Sequence, residues 1–179
     1  MDCKTVMAPI KVSLYTDELV GNVMDFMIEK HMGLVPVTER DGTFAGMISG
    51  DHLMKFLLPQ ALTTLGTGVH RATMRAASYL DESATEMHER LDELRARTVG
   101  EILETEVQTV SPDTPLIDAL MQIKGKQYVV PVVDADRKLV GAISFFSVLY
   151  ALREQYDRET AEQQKAAERA AREQGGTPS

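Results

Sequence analysis

The chain has 179 residues, 44% hydrophobic and 26% charged, with a formal net charge of −8 and one cysteine. That length supplies a real core for one domain or two small ones, and the acidic balance argues against broad nucleic-acid binding, which needs a basic face. Cys3 alone excludes an internal disulfide framework and fits a reducing compartment.

In chain order, residues 10–14 form a short β-prone run, and Thr16 and Asp17 then offer N-cap oxygens. Leu19, Val20, Val23, Met24, Met27 and Ile28 recur at helical spacing. The apolar run 34–37 predicts a buried strand, Glu39-Arg40-Asp41-Gly42 a turn, and residues 44–48 a second strand. A helix over 51–58 closes this half. Residues 59–69, rich in Gly and Thr, read as a connector. From about residue 70 to 97 the pattern is helical again. Ala77, Leu80, Ala84, Met87, Leu91 and Leu94 alternate steps of three and four, the spacing of a heptad seam. Leu80, Met87, Leu91 and Leu94 are therefore candidate interface residues, for a second copy or another partner. The alternative is a helix that covers its own domain.

The second half repeats the plan. A β-prone run at 107–110 leads to Ser111-Pro112-Asp113-Thr114-Pro115, again rich in helix-start residues. Leu116, Ile117, Leu120, Met121 and Ile123 take helical spacing; strands are expected at 128–133 and 139–143, and a helix from Phe146 onward. The predicted fold is α/β, a β-α-β-β-α unit used twice. The division is 1–58 for the first repeat, 59–97 for a helical insertion, 98–152 for the second repeat and 153–179 for a charged helical tail. That tail holds almost no large apolar residue beyond Tyr156 and reads as a solvated extension. No stretch reaches the roughly 18 apolar residues of a membrane span, and the N-terminus lacks the pattern of a signal peptide. A soluble cytoplasmic protein, with no membrane partner, is expected.

The two copies share motifs as well as order. Leu34-Val35-Pro36-Val37 matches Val129-Val130-Pro131-Val132, and Gly46-Met47-Ile48-Ser49 matches Gly141-Ala142-Ile143-Ser144, both at a shift of about 95 positions. With Thr109-Val110-Ser111-Pro112-Asp113-Thr114-Pro115-Leu116 ahead of the second copy, the chain resembles a tandem pair of CBS (cystathionine β-synthase-like) domains. The resemblance implies that the repeats pack as a pair with two related clefts between them. Such clefts often hold adenosine-containing ligands, here AMP, ATP or S-adenosylmethionine. It further implies a homodimer that regulates an effector protein, and no fused effector domain is visible.

Ser49 and Ser144 stand where a helix begins, placed to cap it or to offer a hydroxyl to a ligand beside the helix dipole. Three residues on, the family uses an Asp for ribose hydroxyls; this chain has His52 and Ser147 there, with Asp51 one position early. Phe145 and Phe146 could stack on a base or pack in a core or interface. The family reads adenine with backbone groups just before the strand proline, which carries over to Leu34 and Val35 before Pro36, and to Val129 and Val130 before Pro131. Thr16, Asp17, Ser111 and Asp113 are expected at turns facing the same clefts, where capping alone also accounts for them. His31, His52, His70 and His88 share no metal-ligand spacing, and no nucleophile elbow or phosphate-binding loop is present. The expectation is a ligand-sensing regulatory module rather than an enzyme. The alternative is a ligand-free dimeric module that docks a partner through its inserted helix.

Overall fold

Each half of the chain folds as helix, strand, strand, helix. The computed structural model describes residues 1–58, 84–125 and 127–174. The first half contains α1 (Val20–Lys30), β1 (Leu34–Thr38), β2 (Phe44–Ser49) and α2 (Gly50–Leu57). Next come α3 (Ala84–Ala96) and the short α4 (Val99–Ile102). The second half contains α5 (Leu116–Lys124), β3 (Val129–Val133), β4 (Leu139–Ser144) and α6 (Phe145–Gln174). The connector expected at 59–69, and Ala77 and Leu80 of the heptad pattern, lie outside the described residues.

These elements form two compact units. One comprises Lys11–Val107 with Ala135–Leu139; the other comprises Met1–Ile10, Gln108–Asp134 and Val140–Ser179. Each has its own core. Leu14, Val20, Val23, Val35, Val37, Ile48, Leu53, Leu94, Val99 and Ile102 fill the first. Cys3, Val6, Val110, Leu116, Val130, Val132, Ile143 and Val148 fill the second. Full burial of a side chain of this size contributes about 1.5–3 kcal/mol.

The leading segment of each repeat sits in the other unit. Within the first, Val99 N–H donates to the Glu18 carbonyl at 2.9 Å and Gly100 N–H to that of Thr16 at 2.8 Å, which buries Val99 and Ile102. Within the second, Cys3 N–H donates to the Thr114 carbonyl and Lys4 N–H to that of Pro112, both at 2.9 Å.

β1 and β2 pair antiparallel, with Leu34 opposite Ser49, Pro36 opposite Met47 and Thr38 opposite Phe44. The leading strands expected at 10–14 and 107–110 shrink to one parallel bridge each, Tyr15 with Thr38 and Val110 with Val132. Proline accounts for the shortening. Thr38 N–H donates to the Leu14 carbonyl at 2.9 Å, and amides two apart on a strand face the same edge. The next donor toward Val12 would be Pro36, which has no N–H. In the second unit Pro131 likewise cannot donate to Gln108. The Gln127 amide substitutes, its Oε1 accepting from Gln108 N–H at 3.1 Å and its Nε2 donating to the Gln108 carbonyl at 2.6 Å.

The N-cap oxygens expected from Thr16, Asp17, Ser111 and Asp113 are not used in that way. Leu19 and Pro115 are the N-caps of α1 and α5, and neither makes a side-chain capping bond. Backbone carbonyls serve instead, Val20 N–H donating to Arg97 at 2.9 Å and Leu116 N–H to Met1 at 3.1 Å. Helix α3 packs against α1 and α2. Arg95 forks onto Asp25 with two bonds of 2.9 Å, and Arg90 Nε donates to the Leu57 carbonyl at 2.9 Å. Leu94 is buried in this unit's core and Leu91 is half-buried, whereas Met87 is exposed. Leu94 thus packs at home rather than toward a partner. The second helix of repeat two and the tail join in one 30-residue helix, α6.

Candidate functional site

The first strand–helix corner is built from three segments of one unit. β2 ends at Ser49, whose extended backbone turns the chain into α2 while its Oγ accepts from His52 N–H at 3.1 Å. The register sets Leu34 directly opposite Ser49, so the start of β1 lies at this corner. The third segment follows α4. Glu104 lies along the outer edge of β2, exchanging backbone bonds with Met47 at 2.9 and 3.0 Å. Its carboxylate reaches the corner, where Oε2 accepts from Ser49 Oγ–H at 2.8 Å and Oε1 stands 3.5 Å from His52 Nδ1. The His52 side chain is 20% exposed, and its Nδ1 is buried without a hydrogen bond. The ring meets Phe56 edge-on at 5.4 Å. Asp51 is exposed in the first turn of α2.

Leu34, Ser49, Asp51 and His52 therefore share one corner. Val35 is fully buried as a core residue and Pro36 is half-buried. Thr16 and Asp17 lie at the other end of β1, roughly 13 Å away by strand rise. There Thr16 Oγ1 donates to Glu39 at 2.7 Å, and Asp17 pairs with Arg40 at 2.8 Å. The Arg40 guanidinium, which also lies over the Tyr15 ring at 4.1 Å, holds the Asp17 carboxyl below its ordinary range.

At the second corner two serines bond each other. Ser144 Oγ accepts from Ser147 N–H at 3.2 Å, Ser147 Oγ accepts from Ser144 N–H at 2.9 Å, and Ser147 Oγ–H donates to the Ser144 carbonyl at 3.0 Å. This is a capping box with Ser in place of the usual Glu. Val130 and Pro131 are buried, and the half-buried Val129 gives its carbonyl to Gln127 Nε2 at 3.3 Å. Phe146 is 78% exposed and touches Phe145 edge-on at 5.8 Å. Ser111 bonds to Thr114, and Asp113 takes Lys4 at 2.6 Å.

Sequence reasoning missed Glu104. Its signal was the upstream extension of the repeat, since Glu104 follows Val99–Ile102 as Ala8 follows Cys3–Val6, and Ala8 bridges Ala142 just as Glu104 bridges Met47. Among the described residues no group of three or more His, Cys, Asp and Glu could hold a metal, and no helix is long and apolar enough to cross a membrane.

A duplicated helix–strand–strand–helix unit with a serine at each strand–helix corner defines the class. The CBS domain family model matches residues 3–59 and 99–154, and the chain belongs to that family. Solved structures share the fold. The CBS-pair protein CBSX2 from Arabidopsis thaliana is 19% identical, with a TM-score of 0.64 over 87% of this chain and 96% of that one. A structure of CBSX2 in complex with AMP is 21% identical, with a TM-score of 0.60 over 87% and 98%. CbpB in complex with c-di-AMP is 16% identical, with a TM-score of 0.60 over 90% and 91%. No curated protein matches the chain.

Proposed function

We propose that this chain is a regulatory module that binds an adenosine-containing ligand and modulates a partner protein. The observation that carries the reading is the first corner, which assembles Leu34 backbone, Ser49, Asp51 and His52 at the N-terminus of α2. That two relatives of the same fold were solved with AMP and c-di-AMP supports it. The module acts by population shift: a ligand transmits only the difference between its affinities for two states of the protein. Exposed apolar side chains on two helices of the second-repeat unit, Ile117 and Met121 on α5 and Phe146, Leu149 and Tyr150 on α6, support homodimerisation. The buried thiol of Cys3 suits the cytoplasm.

A thermal-unfolding screen against AMP, ADP, ATP, c-di-AMP, S-adenosylmethionine and NAD tests the reading. A ligand at a hundred times its Kd adds about 2.7 kcal/mol. Asp51→Ala should remove that gain. A flat screen on folded protein refutes ligand sensing and leaves the partner-docking module. The Ser147 hydroxyl, which both accepts from and donates to the Ser144 backbone, favours that second reading for the second repeat.

A further inference from the structure

The N-terminus of a helix is an anion seat, where free N–H groups and the macrodipole favour negative charge. Beside the N-cap of α2 a carboxylate of the protein already stands. Glu104 is drawn in by Ser49, whose one O–H points at its Oε2 from 2.8 Å. The same Ser49 oxygen accepts from His52 N–H, so this hydroxyl has no donor left for an incoming phosphate. Among the described residues no Lys or Arg pairs with Glu104; its one ion-pair contact is with His52 at 3.5 Å. The second repeat supplies an internal comparison. At its equivalent bridge Ala8 stands beside Ala142, presenting a methyl group instead of a carboxylate.

We propose that Glu104 is a specificity determinant that makes the first corner a charge filter: it admits adenosyl compounds whose 5′ substituent is neutral or cationic and turns away nucleotide phosphates. This rests on the adenosine reading above and narrows it. A phosphate entering the corner would meet the Glu104 carboxylate at a few ångströms, where like charges repel strongly in a half-buried site. A sulfonium or ammonium group would instead find a counter-ion.

The test is calorimetric titration of the full chain with adenosine, AMP and S-adenosylmethionine, in the native protein and in Glu104→Gln, scored at the site that Asp51→Ala abolishes. The filter requires the native protein to bind adenosine and S-adenosylmethionine roughly tenfold or more tighter than AMP. Glu104→Gln should shrink that preference by roughly tenfold, chiefly through tighter AMP binding. A native protein that binds AMP as tightly as adenosine overturns the filter while leaving adenosine sensing intact, and so does an unchanged ratio in the variant. Failure of both proteins to bind any of the three refutes the adenosine reading and the filter together. Should Glu104→Gln not fold, the native ratio alone decides.

Discussion

The matched glycines Gly46 and Gly141 offer a sharp test, because the same methyl group meets different obstacles. A Cβ at Gly46 would strike the backbone carbonyl oxygen of Glu104 and lie 2.8 Å from Leu103 Cγ and 3.1 Å from the Glu104 carbonyl carbon. At Gly141 it would lie 2.8 Å from Met7 Sδ and 3.0 Å from the Ala8 carbonyl oxygen. A methionine sulfur swings aside cheaply. The Glu104 carbonyl, struck directly and on a residue held by two backbone bonds to Met47, does not; the Ala8 carbonyl is held likewise by Ala142 but stands farther off. Gly46→Ala therefore incurs overpacking of about 1–3 kcal/mol and weakens two backbone bonds with a net worth of about 0.5–1.5 kcal/mol each. The sum is about 2–6 kcal/mol, centred near 4, against about 1–2 kcal/mol for Gly141→Ala. Urea unfolding followed by far-UV circular dichroism measures the difference. With slopes of about 1–3 kcal/mol/M, the Gly46→Ala midpoint falls by about 1 M or more. Amide exchange at Met47 and Glu104 localises the loss. The reasoning fails if Gly141→Ala costs as much as Gly46→Ala, or if those two amides keep their protection.

Other substitutions probe separate features. Leu94→Ala should cost about 2–5 kcal/mol, since it empties a buried core position, and a thermal shift typical of a surface change would place α3 outside the core. Ser147→Ala should cost about 1 kcal/mol by opening the capping box, and a melting temperature equal to that of the native protein would contradict it. The Lys138 ammonium and the Thr43 N–H hold the Asp41 carboxyl well below its ordinary value of 3.8. A depressed folded value means stabilisation present above that ordinary value and lost as the pH falls through the folded one. Native protein should thus exceed Asp41→Asn in stability at pH 7, with the gap closing in acid; a gap independent of pH would refute the ion pair.

What the sequence reveals and what it hides divides by range. Val-Pro-Val and Gly-x-Ile-Ser are local signals, and they place β1 to α2 and β3 to α6 within a residue or two. The two prolines also carry the reason for the missing leading strands, although the period-two pattern at 10–14 conceals it. The exchange of leading segments is long-range. Nothing in residues 1–10 names Ala142 as a partner, and only the bridge itself does. Once Leu19 and Pro115 start their helices under borrowed carbonyls, Thr16 and Asp17 are released to bind Glu39 and Arg40 at the far turn, Ser111 to bond Thr114 and Asp113 to take Lys4. The Ser49 corner was legible as a helix start, but its chemical character comes from Glu104, delivered from beyond the insertion. Heptad spacing could not tell a seam from a core stripe, and Leu94 went to the core.

The exchanged segments also set an order of events during synthesis. Residues 11–107 leave the ribosome as one stretch, and their unit lacks only the late segment 135–139, the turn that leads into β4. The other unit must wait. Cys3 and Val6 emerge first, yet the residues that bury them end with Val148. At about 5–20 residues per second, that is a delay of roughly ten seconds or more. The first ten residues therefore remain exposed longest although they were made earliest. Removal of residues 1–10 would damage the repeat farthest from them in sequence.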